Sequence, residues 1–290
     1  MSILVATDFD AAEWALWWPA LQAAMPGEHL VRDRADVVAG SIDVAVVANP
    51  LAGALQGLPT LRFVQSLWAG VEKLLADPTL PPAVPLARMV DPMMTAAMAE
   101  TALWAVLSLH RGFFTYAARQ QAGQWRPHGQ QRADEVTVAV LGLGQMGRAA
   151  AEALVQRGYR VLGWSSHAAS VDGVACFAGE AALQQVLAQA QIVVNLLPLT
   201  DATRGLFNTA TFARMPKGAS LVNLARGGHV VEADLLAALD SGQMRHAVLD
   251  VFAVEPLPPT HAFWAHPRVT VLPHAAAQTD AHSAARCCAA

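Results

Sequence analysis

The feature that most restricts this chain is a glycine pattern set between a strand and a helix. Val138-Ala139-Val140-Leu141 is apolar throughout, and Gly142-Leu143-Gly144-Gln145-Met146-Gly147 follows it directly, opening a stretch with helical spacing that runs to about Arg157. A G-x-G-x-x-G turn in that position has a specific physical use. Gly142 permits the tight turn, Gly144 lets backbone approach a pyrophosphate, and Gly147 lets the helix pack close to the strand. The helix N-terminus, with its unpaired N–H groups, then faces the phosphates. The pattern alone also fits an ordinary glycine-rich turn. Its placement points to a dinucleotide, with Gly142, Gly144, Gln145, Met146 and Gly147 as expected cofactor contacts.

About twenty residues further on, the end of the next strand normally supplies an acid for the ribose 2′-OH of NAD. Here it reads Gly163-Trp164-Ser165-Ser166-His167, and no Asp or Glu follows until Asp172. Nothing there repels a 2′-phosphate, and Ser165, Ser166 and His167 offer hydrogen bonds to one. NADP(H) is therefore the expected cofactor. A relaxed site that also takes NAD(H) is the alternative.

The rest of the chain repeats the strand–helix alternation. Its 290 residues suit two domains at roughly 150 residues each, or one large α/β domain. Strands are expected at Ile3–Thr7, Val44–Ala48 and Arg62–Ser66, with a helix over Ala11–Ala24 and a Pro-rich loop over Pro78–Pro85. Thr95–Gln121 reads as one long helix or two. Beyond Asp134, strands are expected at Val136–Leu141, Arg160–Trp164, Gln191–Leu196, Ser220–Leu224, His246–Val251 and Arg268–Leu272. Helices are expected near Gly179–Gln189 and Val231–Ser241. Continuous apolar strands imply parallel, doubly wound sheets covered on both faces.

Composition excludes other classes. With 19 Lys+Arg, 23 Asp+Glu and a net charge of −4, the chain has no basic excess for nucleic acid. Mean hydropathy is positive, but the longest uncharged runs, Val44–Leu61 and Ala181–Thr200, are broken by Asn, Gln, Gly or Pro, and no membrane partner is expected. Met1–Asp10 carries Asp8 and Asp10 without a basic region and does not read as a signal peptide. Three cysteines, Cys176, Cys287 and Cys288, form no disulfide framework, which fits a cytoplasmic protein.

Three polar residues follow apolar strands. Arg226 lies in Asn223-Leu224-Ala225-Arg226-Gly227-Gly228, Glu255 follows Leu249-Asp250-Val251-Phe252, and His274 stands in Pro273-His274-Ala275-Ala276-Ala277. Ligands of open α/β sheets bind outside the carboxyl ends of the strands. The guanidinium offers a planar fork for a carboxylate and polarises a neighbouring carbonyl. An imidazolium hands a proton to a carbonyl oxygen as hydride reaches carbon. A carboxylate beside it favours the charged ring. Singly, each has a plain structural reading: a surface ion pair, a loop charge, a helix cap. His29, His110, His128, His167, His229, His246 and His282 show no such setting. His261 and His266, with His274, raise a metal site, but no carboxylate or Cys pattern accompanies them, so no metal is expected.

These residues resemble the D-isomer-specific 2-hydroxyacid dehydrogenase family, through Val222-Asn223-Leu224-Ala225-Arg226-Gly227, Leu249-Asp250-Val251-Phe252 with Glu255-Pro256, and Pro273-His274. Phe177-Ala178-Gly179, Asn195-Leu196-Leu197-Pro198 and His229-Val230-Val231-Glu232-Ala233-Asp234-Leu235-Leu236 extend the likeness. The resemblance implies two Rossmann-like α/β domains with the active site in the cleft between them. A lid domain would span 1–98 with 278–290 as a short return, and a dinucleotide domain 99–277. It implies that Arg226 binds substrate, that His274 is the acid/base and that Glu255 is its partner. Asp250, Ala225 and Ala276 would line the nicotinamide end, and Leu197, Pro198 and Thr203 the adenosine end. In the lid, the amides of Ala69 and Gly70 would hold the substrate carboxylate. Trp68 would cap a pocket restricted to short 2-oxoacids such as glyoxylate and hydroxypyruvate, unless it is a plain core aromatic. Met98 would touch the nicotinamide or pack in the core. A homodimer joined through the dinucleotide domain, with Trp125 and Pro127 at its surface, is implied as well.

The chain departs from the family in two places. Relatives carry Arg in the Ser166–His167 region, and they continue past Pro273-His274 with a long helix where only Ala275–Ala290 remain here. A less firmly anchored lid or a truncated chain is the expectation. Alternatives to a short-acid reductase are a family member acting on larger or phosphorylated acids, and a nucleotide-sensing binding module of the same fold.

Overall fold

Strands buried on both faces need apolar side chains on both, and both sheets of this protein are built on such strands. In the computed structural model, which describes residues 2–290, the chain divides into two compact units: residues up to Met94 with Thr279–Ala290, and Thr95–Gln278. Met1, where the expected lid domain begins, lies outside the described residues.

The first unit contains β1 (Ser2–Thr7), α1 (Ala11–Ala24), β2 (His29–Val31), β3 (Ile42–Ala48), β4 (Phe63–Ser66), the short α2 (Glu72–Leu75) and β5 (Leu86–Ala87). Its strands run parallel in the order β2-β1-β3-β4-β5. That is a doubly wound order which reverses beside β1. Helix α1 starts where the sequence places it because Asp10 and Glu13 form a capping box: the Asp10 carboxylate accepts the Ala12 and Glu13 N–H groups at 2.8 Å, and Glu13 accepts that of Asp10 at 2.8 Å. Such a cap contributes about 1 kcal/mol.

Of the two readings of Thr95–Gln121, the structure takes the second: α3 (Pro92–Arg111) and α4 (Phe113–Gln121). The break is Gly112, at φ +72°. A Cβ there would lie 2.3 Å from the His128 ring, so both the left-handed backbone and the space demand glycine. By composition α3 is long and apolar enough to cross a bilayer, and the uncharged runs of the sequence do not reveal it. Its Met98, Ala102, Ala105, Val106 and Leu109 are buried against Val136, Val138 and Val140, as in a core helix.

The second unit continues with β6 (Thr137–Leu141), α5 (Gln145–Gln156), β7 (Arg160–Ser165), β8 (Ala175–Ala178), α6 (Glu180–Gln189), β9 (Ile192–Asn195), α7 (Thr209–Arg214), β10 (Ala219–Asn223), α8 (Glu232–Asp240), β11 (Met244–Leu249) and β12 (Val269–Val271). Seven parallel strands lie in the order β12-β11-β10-β9-β6-β7-β8. The alternation of β6 explains the layering. Val138 and Val140 face α3 and α5, with Ala150, Ala151 and Leu154. Ala139 and Leu141 face α6 and α8, with Leu183, Leu187, Leu235 and Leu239. Each fully buried Val or Leu contributes roughly 1.5–3 kcal/mol, so the central strands anchor the loops at their carboxyl ends. The strand order reverses between β6 and β9, where such sheets open a crevice for ligands.

Short elements escape the periodicity argument. The edge strands β2, β5 and β8 and the helices α2 and α7 are too brief to show a repeat. The chain ends in α9 (Ala281–Ala289), capped by Asp280, whose carboxylate accepts the Ser283 N–H at 2.7 Å. Within the first unit α9 packs on α1, and Ser283 donates to the buried Asp91 carboxylate at 2.7 Å.

Candidate active site

The glycine turn has the geometry a pyrophosphate needs. Gly142 sits at φ +96°, and a Cβ on it would come within 2.7 Å of the Leu196 carbonyl oxygen, so the turn lies against the segment leaving β9. A Cβ on Gly147 would be 1.7 Å from the Gly142 carbonyl oxygen, which is why the helix can start so close to the strand. Gly144 meets nothing within 4 Å. It is the N-cap of α5 and supplies no side-chain cap, leaving the first-turn N–H groups open to an anion. These residues fit a dinucleotide. Gln145 is exposed beside them, and Met146 packs partly on the core.

At the end of β7, Ser165 donates to the His167 carbonyl at 2.6 Å, and the Ser166 hydroxyl is 3.0 Å from His167 Nδ1. Ser166 and His167 are exposed. Arg148 on α5 donates to the Ser170 carbonyl at 2.6 Å, so a guanidinium adjoins this loop. Across the crevice, Leu197 is buried and Pro198 exposed. Thr203 donates to the Pro198 carbonyl at 2.8 Å, closing residues 198–203 into a turn.

The expected acid/base group is assembled on the neighbouring strands β10, β11 and β12. His274, just past β12, adopts φ +53°, a left-handed conformation unusual for a side-chain-bearing residue. Three contacts to Asp250 hold it there. The His274 N–H donates to the Asp250 carbonyl at 2.9 Å, and the Asp250 carboxylate accepts the Ala275 and Ala276 N–H groups at 2.7 and 3.1 Å. Asp250 is 1% exposed. Burial pushes its carboxyl above the usual range, opposed by those two N–H bonds and by His274. The visible work of Asp250 is thus to hold the His274 segment, and its oxygens and the Ala276 N–H are engaged with each other.

His274 Nδ1 lies 2.7 Å from Glu255 Oε2, and Glu255 Oε1 accepts the Phe252 N–H at 2.8 Å. The pair is half open to solvent, at 54% and 35% side-chain exposure. In that setting it contributes at most about 1 kcal/mol to stability, so its use is orientation: with Nδ1 donating to Glu255, Nε2 is the nitrogen left to carry a proton outward.

Arg226 joins this group through Gly227. A Cβ at Gly227 would lie 1.9 Å from the Phe252 carbonyl carbon, so the Arg226 and Phe252–Glu255 segments touch backbone to backbone. The Arg226 guanidinium donates to the Ala225 carbonyl at 2.7 Å, and Ala225 is buried. Beneath them is a network that sequence reading missed. Asn195 donates to Asn223 Oδ1 at 2.9 Å, and Asn223 donates to the Arg226 carbonyl at 3.0 Å. His229, set aside in the sequence, is completely buried and reaches the Arg226 carbonyl at 3.0 Å. The signal available was polarity: Asn195 and Asn223 end otherwise apolar strands.

In the first unit, Trp68 is partly buried and packs edge-on against Trp17 and Phe9, at 5.6 and 6.2 Å between ring centres. Ala69 and Gly70 are partly exposed, and among the described residues neither N–H has a protein acceptor.

Other expectations change. His261 and His266 do have carboxylate neighbours, against the sequence reading: Glu232 and Asp240, each at 3.2 Å. They are separate pairs, and no group of three or more metal-binding side chains occurs among the described residues. Met98 is 6% exposed in the core. A cavity of about 650 Å³ lies at the opposite, amino-terminal ends of β11 and β12, lined by Arg119, His128, Met244, Arg245 and Arg268. It holds none of the candidate residues.

Residues 103–276 match the family described as D-isomer specific 2-hydroxyacid dehydrogenase, NAD binding domain. The chain is similar to glyoxylate/hydroxypyruvate reductase A of Serratia proteamaculans, 43% identical over 242 residues, which is 82% of this chain and 77% of that protein. It is also similar to a D-isomer specific 2-hydroxyacid dehydrogenase from Xanthobacter autotrophicus Py2, solved with NADPH and MES (40% identity, TM-score 0.92, 98% of this chain and 91% of that one). An NADPH-dependent glyoxylate/hydroxypyruvate reductase from Sinorhizobium meliloti, solved with NADP and sulfate, is 37% identical with TM-score 0.90, over 98% of this chain and 92% of that one. The chain belongs to the D-isomer specific 2-hydroxyacid dehydrogenase family and is an NAD(P)-dependent oxidoreductase.

Proposed function

We propose that this enzyme reduces small 2-oxoacids, glyoxylate and hydroxypyruvate first among them, with NADPH as reductant. The observation that carries the reading is the His274–Glu255 contact of 2.7 Å at the carboxyl ends of the sheet that also bears the Gly142–Gly147 turn. That turn and residues 197–203 would hold the dinucleotide, which would supply hydride. Arg226 pairs with the substrate carboxylate and polarises its carbonyl. His274 Nε2 gives the proton to the carbonyl oxygen, and Glu255 holds the ring in place through Nδ1. Within the first unit, the N–H groups of Ala69 and Gly70 suit a carboxylate, and Trp68 is braced by Trp17 and Phe9.

NADPH is preferred in this reading because the end of β7 offers Ser165, Ser166 and His167 and no acid, with Arg148 adjoining. The NADPH and NADP in the two similar structures support the same choice. NAD(H) is the lesser cofactor. A homodimer is the proposed assembly, with Trp125, fully exposed in the arm after α4, and Pro127 at its surface; light scattering tests this. The three unpaired cysteines suit a reducing cytoplasm. The deciding experiment follows NADPH and NADH absorbance separately against a panel of 2-oxoacids. Turnover of glyoxylate or hydroxypyruvate with NADPH is expected. A preference for NADH, or for long or phosphorylated acids, overturns the corresponding half.

A further inference from the structure

The stretch His229-Val230-Val231-Glu232 has no part in the chemistry above, yet His229 occupies a position that joins the two halves of the site. Its ring is 0% exposed. Nδ1 lies 3.0 Å from the Arg226 carbonyl oxygen, and Nε2 lies 3.3 Å from the Pro198 carbonyl oxygen. The Arg226 carbonyl is further held by the Asn223 amide at 3.0 Å and by the His229 backbone N–H at 3.3 Å. The Pro198 carbonyl in turn accepts the Thr203 hydroxyl at 2.8 Å, and its segment leaves β9 against the Gly142 turn. One rigid ring therefore spans the backbone of the residue that presents the guanidinium and the backbone of the segment that borders the cofactor turn.

We propose that His229 is a positioning residue with two separable tasks. Through Nδ1 it fixes the backbone from which Arg226 reaches the oxoacid. Through Nε2 it fixes the Pro198–Thr203 turn that lies along the cofactor. The inference rests on the roles given above to Arg226 and to residues 197–203. The chemistry favours histidine over other polar residues. Carbonyl oxygens only accept, and a neutral imidazole carries a single N–H, so only the doubly protonated ring donates to both at once. An imidazole presents its two nitrogens on opposite edges of a stiff plane, whereas a flexible chain would lose rotamer entropy to do so. Each carbonyl keeps another donor when the ring contact is lost, so the cost is that of one hydrogen bond, up to about tenfold in a binding constant.

Isosteric replacements divide the tasks. Asparagine places an amide nitrogen where Nδ1 lies, and glutamine places one where Nε2 lies. His229→Gln, His229→Asn and His229→Leu are compared by KM for glyoxylate, by kcat, by NADPH Kd from fluorescence titration without oxoacid, and by melting temperature. His229→Gln should raise the oxoacid KM about tenfold and leave NADPH Kd within about twofold. His229→Asn should weaken NADPH about tenfold and leave the oxoacid KM within about twofold. His229→Leu should show both defects. Equal shifts in both constants for Gln and Asn, or losses that merely follow the melting temperature, would mean a packing role and overturn the proposal. A wild-type protein that turns over no 2-oxoacid sinks the reductase reading instead. The positioning role then stands or falls on the NADPH titration, in which Asn must weaken binding and Gln must not.

Discussion

Replacing Gly227 by alanine tests whether the Arg226 and Glu255 segments must touch. Gly227 has no left-handed φ, so an added methyl brings no backbone strain of its own. Its cost is contact: the Cβ would lie 1.9 Å from the Phe252 carbonyl carbon, 2.1 Å from its oxygen and 2.4 Å from the Ala253 nitrogen. Ordinary contact begins at 3.4 Å, so the two backbones must part by about 1.5 Å (3.4 − 1.9). The displaced Phe252 N–H is the one held by Glu255 Oε1 at 2.8 Å, and the same carboxylate orients His274. A misplacement of about 1 Å costs on the order of a hundredfold in rate, and the overpacking itself costs about 1–3 kcal/mol of stability. The assay is steady-state reduction of glyoxylate at saturating NADPH, beside a thermal melt. The expected result is a fall of about a hundredfold in kcat/KM with NADPH affinity retained. A folded Gly227→Ala enzyme within threefold of wild type would refute the close-approach argument.

His274→Ala should lower kcat by about 10²–10⁴-fold, as for loss of a general acid, while NADPH titration is unchanged; an unaltered rate removes His274 from proton transfer. Arg226→Lys replaces a fork by a point charge and should raise the oxoacid KM by about tenfold or more; if KM and kcat/KM both hold, the carboxylate is bound elsewhere. Acid stability should depend on His246, stacked on Phe114 at 4.6 Å. Burial first, then Arg245 and His266, drives its pKa down from 6.5 to about 4. The unfolded chain takes up a proton that the folded one refuses, so this contribution is intact above pH 6.5 and lost as pH falls toward 4. At about 1.4 kcal/mol per pH unit the loss approaches ~3 kcal/mol. Urea midpoints at about pH 7 and 5 should differ less for His246→Gln than for wild type; equal losses would clear His246.

The parts of this molecule that were legible in the sequence are those under local rules. The strand–turn–helix at Val138–Gly147 is readable because each glycine answers a steric demand that the structure shows. Helix α1 is readable over Ala11–Ala24 from its composition, and the Asp10–Glu13 cap that fixes its start is seen in the structure. Arg226, Glu255 and His274 are visible because each interrupts an apolar context. What stayed hidden depends on contacts between distant segments. Nothing near His229 in the chain says that its ring meets Pro198. Asp250 read as a lining residue, whereas its carboxylate braces the His274 segment from below. The edge strand β8, four residues long, is too brief to show a repeat, and α3 is long and apolar enough for a bilayer because a core helix and a membrane helix share the same composition.

The left-handed backbone at His274 sets a trap for anyone improving the enzyme by directed evolution. A glycine at that site would relieve a conformation that costs a side-chain-bearing residue on the order of 1–2 kcal/mol, and Asp250 would still grip the same peptide groups. On the acid/base role proposed for His274, a library screened for heat resistance alone would drift toward His274→Gly and return robust but inert clones. Screening for turnover at every round is the only selection under which the imidazole survives.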